Sequence, residues 1–187
     1  MSRDALATLW EEFPGVDPSR VEDLLGDSAK RVGAERAVEF ARERIRALTR
    51  EDDIPGVLFL CVHNAGRSQM ASGWLSRLGG DGVRVYSGGS ETGRAINPAA
   101  VEAMEEVGID IRRQFPKPWS DEVLRSVDVV VTMGCGDECP YYPGTRYVDW
   151  SLDDPAGQSV ESVRPIRDDI ELRVRDLLSE LGVEAAP

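Results

Sequence analysis

The chain has 187 residues, 41% of them hydrophobic, which is room for one ordinary domain with a small appendage and enough for a real core. Its net charge of −12 argues against nonspecific nucleic-acid binding and against anionic membrane surfaces. A site for an anion would have to be built locally against that field. No apolar run is long enough to span a bilayer, and Met1-Ser2-Arg3-Asp4 lacks the basic-then-apolar pattern of a signal peptide, so a cytoplasmic protein is expected.

The first part of the chain, to about residue 53, reads as a small all-α helical bundle. Leu6 to Phe13 is a short apolar-faced segment. Asp17-Pro18 supplies an N-cap and a first-turn proline for Ser19 to Leu25. From Ala29 the apolar positions Ala34, Ala37, Val38, Ala41, Ile45 and Leu48 recur at helical spacing. The charged stretch Thr49–Asp53, closed by Pro55-Gly56, marks a boundary. Two domains are expected: 1–53, helical, and 54–187.

Strands and helices then alternate. Strands are expected at Val57–Leu60, Val83–Ser87, Val129–Thr132 and Arg146–Val148. Helices are expected over Arg67–Leu78, from Asn97-Pro98, from a Ser120 cap to Val127, and over Ser162–Leu181 with Pro165 in its first turn. Largely apolar strands separated by helices indicate an α/β fold, a four-stranded parallel sheet flanked by helices. Ligands of such sheets bind outside the carboxyl ends of the strands.

Cys61 lies at one of those ends. The sequence Cys61-Val62-His63-Asn64-Ala65-Gly66-Arg67-Ser68 runs from the apolar Val57–Leu60 into a helix start. Backbone N–H groups of such a loop and the helix N-terminus favour negative charge at one spot. Arg67 adds a planar fork suited to a tetrahedral oxyanion, and the same field favours thiolate over thiol. His63, Asn64, Ala65, Gly66, Arg67 and Ser68 are therefore the expected substrate cradle, with Asn64 fixing the loop from inside.

Cys61, Cys135 and Cys139 are the only cysteines, an odd number in a chain with no export signal, which suits redox or catalytic use better than a disulfide framework. The single histidine and the absence of paired ligand spacing make a metal site unexpected. Cys135 and Cys139 in Gly134-Cys135-Gly136-Asp137-Glu138-Cys139 are spaced to share a helical face, and two thiols near a nucleophilic third suggest a disulfide relay. Asp153-Asp154-Pro155-Ala156-Gly157 reads as a tight turn, or as a loop that holds an aspartate over the anion as general acid.

Taken together, Cys61-x5-Arg67-Ser68-Gln69-Met70-Ala71, Ser87-Gly88-Gly89, Asn97-Pro98-Ala99-Ala100, Val131-Thr132-Met133-Gly134-Cys135, Cys139-Pro140 and Trp150–Gly157 resemble the low-molecular-weight protein tyrosine phosphatase superfamily. Within it they resemble the thiol-linked arsenate reductases, and the resemblance covers Val57 to about Val183.

The resemblance implies a cofactor-free, three-cysteine cascade. Cys61 attacks arsenate, Arg67 holds its oxygens, and Asp154 protonates the leaving oxygen. Cys135 then attacks Cys61, Cys139 attacks Cys135, and thioredoxin reduces the final disulfide. Three departures stand out. The interval from Cys135 to Cys139 is shorter than in the best-known relatives. Ser72 replaces a glutamate that helps some relatives bind potassium, and Gly66 replaces a second loop cysteine. A rival reading is a phosphatase using Cys61, Arg67 and Asp154 alone, with Tyr141 and Tyr142 near its cleft. A third is a redox-sensing binding module. The apolar faces of the N-terminal helices also offer a homodimer interface.

Overall fold

A computed structural model describes residues 3–50, 53–134 and 141–186. Packing divides the chain into two units, one of Met1–Asp52 with Ser120–Ser126, the other of Asp53–Trp119 with Val127–Pro187. No described helix is long and apolar enough to cross a membrane.

The first unit contains α1 (Arg3–Glu12), α2 (Pro18–Val32), α3 (Ala37–Leu48) and α6 (Asp121–Ser126). Asp17 caps α2 by accepting from the Ser19 N–H at 2.8 Å, and Pro18 takes the first helical position, where its missing donor costs nothing. The single helical run expected from Ala29 is instead two helices. Gly33, at φ 81°, closes α2 by donating to the Ala29 carbonyl, a left-handed conformation that glycine adopts without penalty. The apolar stripes of α1, α2 and α3 face one another: Leu9, Val21, Leu24, Leu25, Ala37, Ala41 and Ile45 form one buried cluster.

Beside that cluster Arg44 makes a two-pronged contact with Glu122 of α6, at 3.0 and 3.1 Å, and reaches Asp27 at 2.8 Å. Burial alone would push the Glu122 carboxyl up, but hydrogen bonds and charge from Arg44 outweigh it and hold it down.

The second unit is the sheet. Strands β1 (Gly56–Cys61), β2 (Arg84–Gly89), β3 (Val129–Thr132) and β4 (Arg146–Asp149) are all parallel, in the order β2-β1-β3-β4. Every residue of central β1 is buried, as a parallel strand covered on both faces must be. Helices α4 (Arg67–Gly79), α5 (Pro98–Glu106) and α7 (Val160–Glu180) pack with one another, and α4 also lies against β1 and β2. Phe59, Met70, Leu75, Met104, Val131 and Ile170 sit at the centre of this core. The final helix starts at Val160 rather than Ser162, so Pro165 lies inside it and not in its first turn.

The register matters for function. Cys61 pairs with Gly89, and Leu60 with both Gly88 and Thr132. The carboxyl ends of β1, β2 and β3 therefore meet at one place, and the loops leaving them share it.

Candidate active site

Cys61 is the last residue of β1 and is buried. The five residues after it turn the chain into α4, whose N-cap is Gly66. Asn64 is the one non-glycine among the described residues with a positive φ, at 49°. Asparagine tolerates that region better than most side chains, and here both ends of its amide are bonded. Oδ1 accepts from the Lys117 N–H at 2.9 Å and from Gln69 Nε2 at 3.0 Å, while Nδ2 donates to Ser68 Oγ at 2.9 Å. Gln69 Nε2 also donates to the Asn64 carbonyl at 2.8 Å. Asn64, Ser68 and Gln69 have no exposed surface, so the loop is clamped from beneath by a buried network, in which the Gln69 Oε1 alone of these amide atoms has no hydrogen-bond partner among the described residues.

That network ends on the sulfur. Ser68 Oγ lies 3.0 Å from Cys61 Sγ. Because Ser68 accepts from Asn64, its own proton is free to point at the sulfur.

Loops from the neighbouring strands complete the enclosure. A Cβ on Gly89 would fall 2.7 Å from the Val62 carbonyl and 3.0 Å from the Asn64 nitrogen, so only glycine fits where β2 passes under the loop. Beyond it the Glu91 and Gly93 N–H groups donate to the Val62 and His63 carbonyls, and Asn97 N–H to the Ala65 carbonyl, each at 2.8 Å. With their carbonyls bound in this way, the loop residues have their acceptors directed away from the cradle. His63 is exposed, and its Nδ1 is 2.9 Å from the Glu91 carbonyl.

The cavity over Cys61 measures about 50 Å³ and is walled by His63, Ala65, Gly66 and Arg67 on one side and by Asn97, Asp154, Pro155 and Ala156 on the other. A water needs roughly 10–15 Å³, so the space suits one tetrahedral oxyanion. Arg67 bends across it. Its Nη1 donates to the Leu152 carbonyl at 3.3 Å, and its Nη2 lies 3.5 Å from Asp154 Oδ2. Arg67 is largely buried, with 12% of its side chain exposed, whereas Asp154 is 57% exposed. Asp154 Oδ1 accepts from the Ala156 N–H at 3.1 Å, which shapes the turn around Pro155.

Of the expected cradle, His63, Ala65, Gly66 and Arg67 line the cavity, whereas Asn64 and Ser68 lie behind its wall. Asp154 faces it from the opposite side, and Asp153 does not line it. Asn97, Pro155 and Ala156 were not foreseen as site residues. In the sequence Asn97 is a helix opener and part of a motif that carries the family resemblance, and neither assigns it a place in the site. Tyr141 is 74% exposed and is paired with Tyr147 at a ring separation of 5.3 Å, away from the cavity wall. Cys135 and Cys139 lie outside the described residues. The residue before them is described: Gly134, at φ 77°, is so close to the site that a Cβ there would stand 3.4 Å from Arg67 Nη1. Among the described residues, no group of three potential metal ligands comes together.

A cysteine at a strand end thus shares a cavity with an arginine of the following loop and with an aspartate, on a parallel α/β scaffold. Residues 56–186 match the low molecular weight phosphotyrosine protein phosphatase family, to which this chain belongs. It is 40% identical to an arsenate reductase of Staphylococcus aureus over 122 residues, 63% of this chain and 92% of that protein. Among solved structures, a thioredoxin-dependent arsenate reductase from Corynebacterium glutamicum superposes with a TM-score of 0.80 at 35% identity, covering 96% of this chain and 95% of the other. An arsenate reductase in its phosphate-binding state gives 0.60 at 38% identity, covering 67% of this chain and 98% of that one.

Proposed function

We propose that this protein is a cytoplasmic arsenate reductase that works by a three-cysteine relay and is regenerated by thioredoxin. Arsenate seats in the Cys61 loop, its oxygens held by the backbone N–H groups and by Arg67. Cys61 attacks arsenic and forms the sulfur–arsenic bond as one oxygen departs. Asp154, which lines the cavity over Cys61, supplies the proton for that oxygen.

Cys135 then attacks Cys61. A sulfur–sulfur bond forms, the electron pair of the sulfur–arsenic bond stays on arsenic, and arsenite leaves, reduced by two electrons. Cys139 displaces Cys61 from Cys135, and thioredoxin takes up the resulting disulfide. The observation that carries the reading is Gly134 against Arg67, which brings the chain to the edge of the oxyanion site one residue before Cys135. The Staphylococcus and Corynebacterium relatives support the choice of substrate and, for the latter, of reductant.

The test is arsenite release by the two serine variants. Cys135→Ser should release none, Cys139→Ser one equivalent and then stop, and both should still hydrolyse an aryl phosphate. Sustained turnover of Cys139→Ser with thioredoxin would overturn the relay. The helical segment 1–53 is proposed as a separate domain. A homodimer through it would rest on exposed Trp10 and Leu48, since the apolar stripes are buried on one another. A monomeric mass in solution removes that part of the proposal.

A further inference from the structure

We infer that Asn97 is a positioning residue that ties the Asp154-Pro155 turn to the nucleophile loop and acts on the chemistry through Asp154. The inference rests on the role proposed above for that aspartate. Asn97 precedes α5 and bonds in three directions. Its N–H donates to the Ala65 carbonyl in the nucleophile loop at 2.8 Å. Its Nδ2 donates to the Pro155 carbonyl at 2.8 Å. Its Oδ1 accepts from the Ala99 N–H at 2.9 Å and so caps the helix. One side chain with its own N–H thus spans the two walls of the cavity and is itself anchored to a helix whose Ala100, Ala103 and Met104 are wholly buried.

The tie matters because the other hold on the turn is conditional. Arg67 grips Leu152 and Asp154 with the same fork that an oxyanion would engage. Substrate therefore competes with the turn for Arg67 at the moment when Asp154 must be in place. The Asn97–Pro155 bond does not involve the cradle, and so survives occupancy.

Capping and tying can be separated by substitution. Asn97→Ser retains an oxygen that caps well and adds no charge near the anion, but is too short to reach the Pro155 carbonyl. In a single turnover of reduced enzyme, Asn97→Ser should slow arsenite formation roughly tenfold, with half-saturating arsenate changed less than about twofold and the melting temperature unchanged. In an Asp154→Asn background the same substitution should cost almost nothing further, because both changes disable one device. Amide exchange across residues 152–158 should quicken in Asn97→Ser.

Equal losses in the two backgrounds, or a loss confined to arsenate affinity, would overturn the inference while leaving the proposed function intact. If Asp154→Asn alone reacts at the wild-type rate, the acid assignment fails and takes with it the catalytic part of the inference. Unchanged exchange across 152–158 refutes the tie whatever Asp154 does.

Discussion

Gly66 and Pro155 interlock: a Cβ on Gly66 would stand 2.7 Å from Pro155 Cγ. The obstacle is a proline ring and cannot swing aside like the end of a flexible chain. Gly66→Ala should therefore push the Asp154 turn off the cradle. We expect the first-turnover rate to fall by about 10- to 100-fold, as displacements near 1 Å do elsewhere, while the thermal midpoint moves little. Stopped-flow single turnovers and a melting curve check both halves.

Ser68 links the clamp beneath the loop to Cys61. Ser68→Ala removes the hydroxyl 3.0 Å from Cys61 Sγ and leaves Asn64 Nδ2 without that partner. With Cys61 in the role proposed for it, its alkylation by iodoacetamide at neutral pH should slow about tenfold, the size of one lost hydrogen bond at the sulfur. Global stability should drop by about 1–3 kcal/mol for the stranded buried donor. An unchanged alkylation rate would mean that the hydroxyl does not act on the sulfur.

In the helical unit, Arg44 and Glu122 are almost entirely out of water, with 6% and 11% of their side chains exposed. Arg44→Met alone should destabilise that unit, by less than the roughly 3–5 kcal/mol of a fully uncompensated buried carboxylate, because Arg20 Nη2 still lies 3.6 Å from Glu122 Oε1. Replacing both, Arg44→Met with Glu122→Leu, should recover most of the loss. Urea unfolding followed by helical circular dichroism distinguishes the two.

Acid should loosen α5 from α7. Hydrogen bonds from Arg164 hold the Glu106 carboxyl down from 4.5 to about 2, with Arg167 adding to the effect. A carboxyl lowered in the folded state stabilises fully above its unfolded value and loses that contribution as pH falls through the folded one. The melting temperature of Glu106→Gln should thus lie below wild type at pH 6, and the gap should close between about 4.5 and 2. A pH-independent gap would assign Glu106 a packing role instead.

The legible parts of this molecule are those in which neighbours in sequence act together. Val57–Leu60 announces a buried parallel strand, and Arg67 after five residues of small and polar side chains announces an anion loop at a helix start. The break at Gly33 was missed because helical spacing of apolar residues continues across it, and only the backbone angle shows that the chain has turned. The start of α7 was misplaced by two residues for a similar reason: a proline is most at home in a first turn, and the packing of Val163 and Ile166 carried the helix past it.

Sequence alone determined that a thiol sits where a strand gives way to a helix and that an arginine faces it, since strand period, loop length and helix start are properties of adjacent residues. Tertiary structure decided what encloses that thiol. Arg67 finds the Leu152 carbonyl across 85 positions, Asn64 finds the Lys117 amide across 53, and Asn97 finds the Pro155 carbonyl across 58. Such partners become neighbours only when β2, β3 and β4 align beside β1, and no local pattern records which distant loop will close over a strand end.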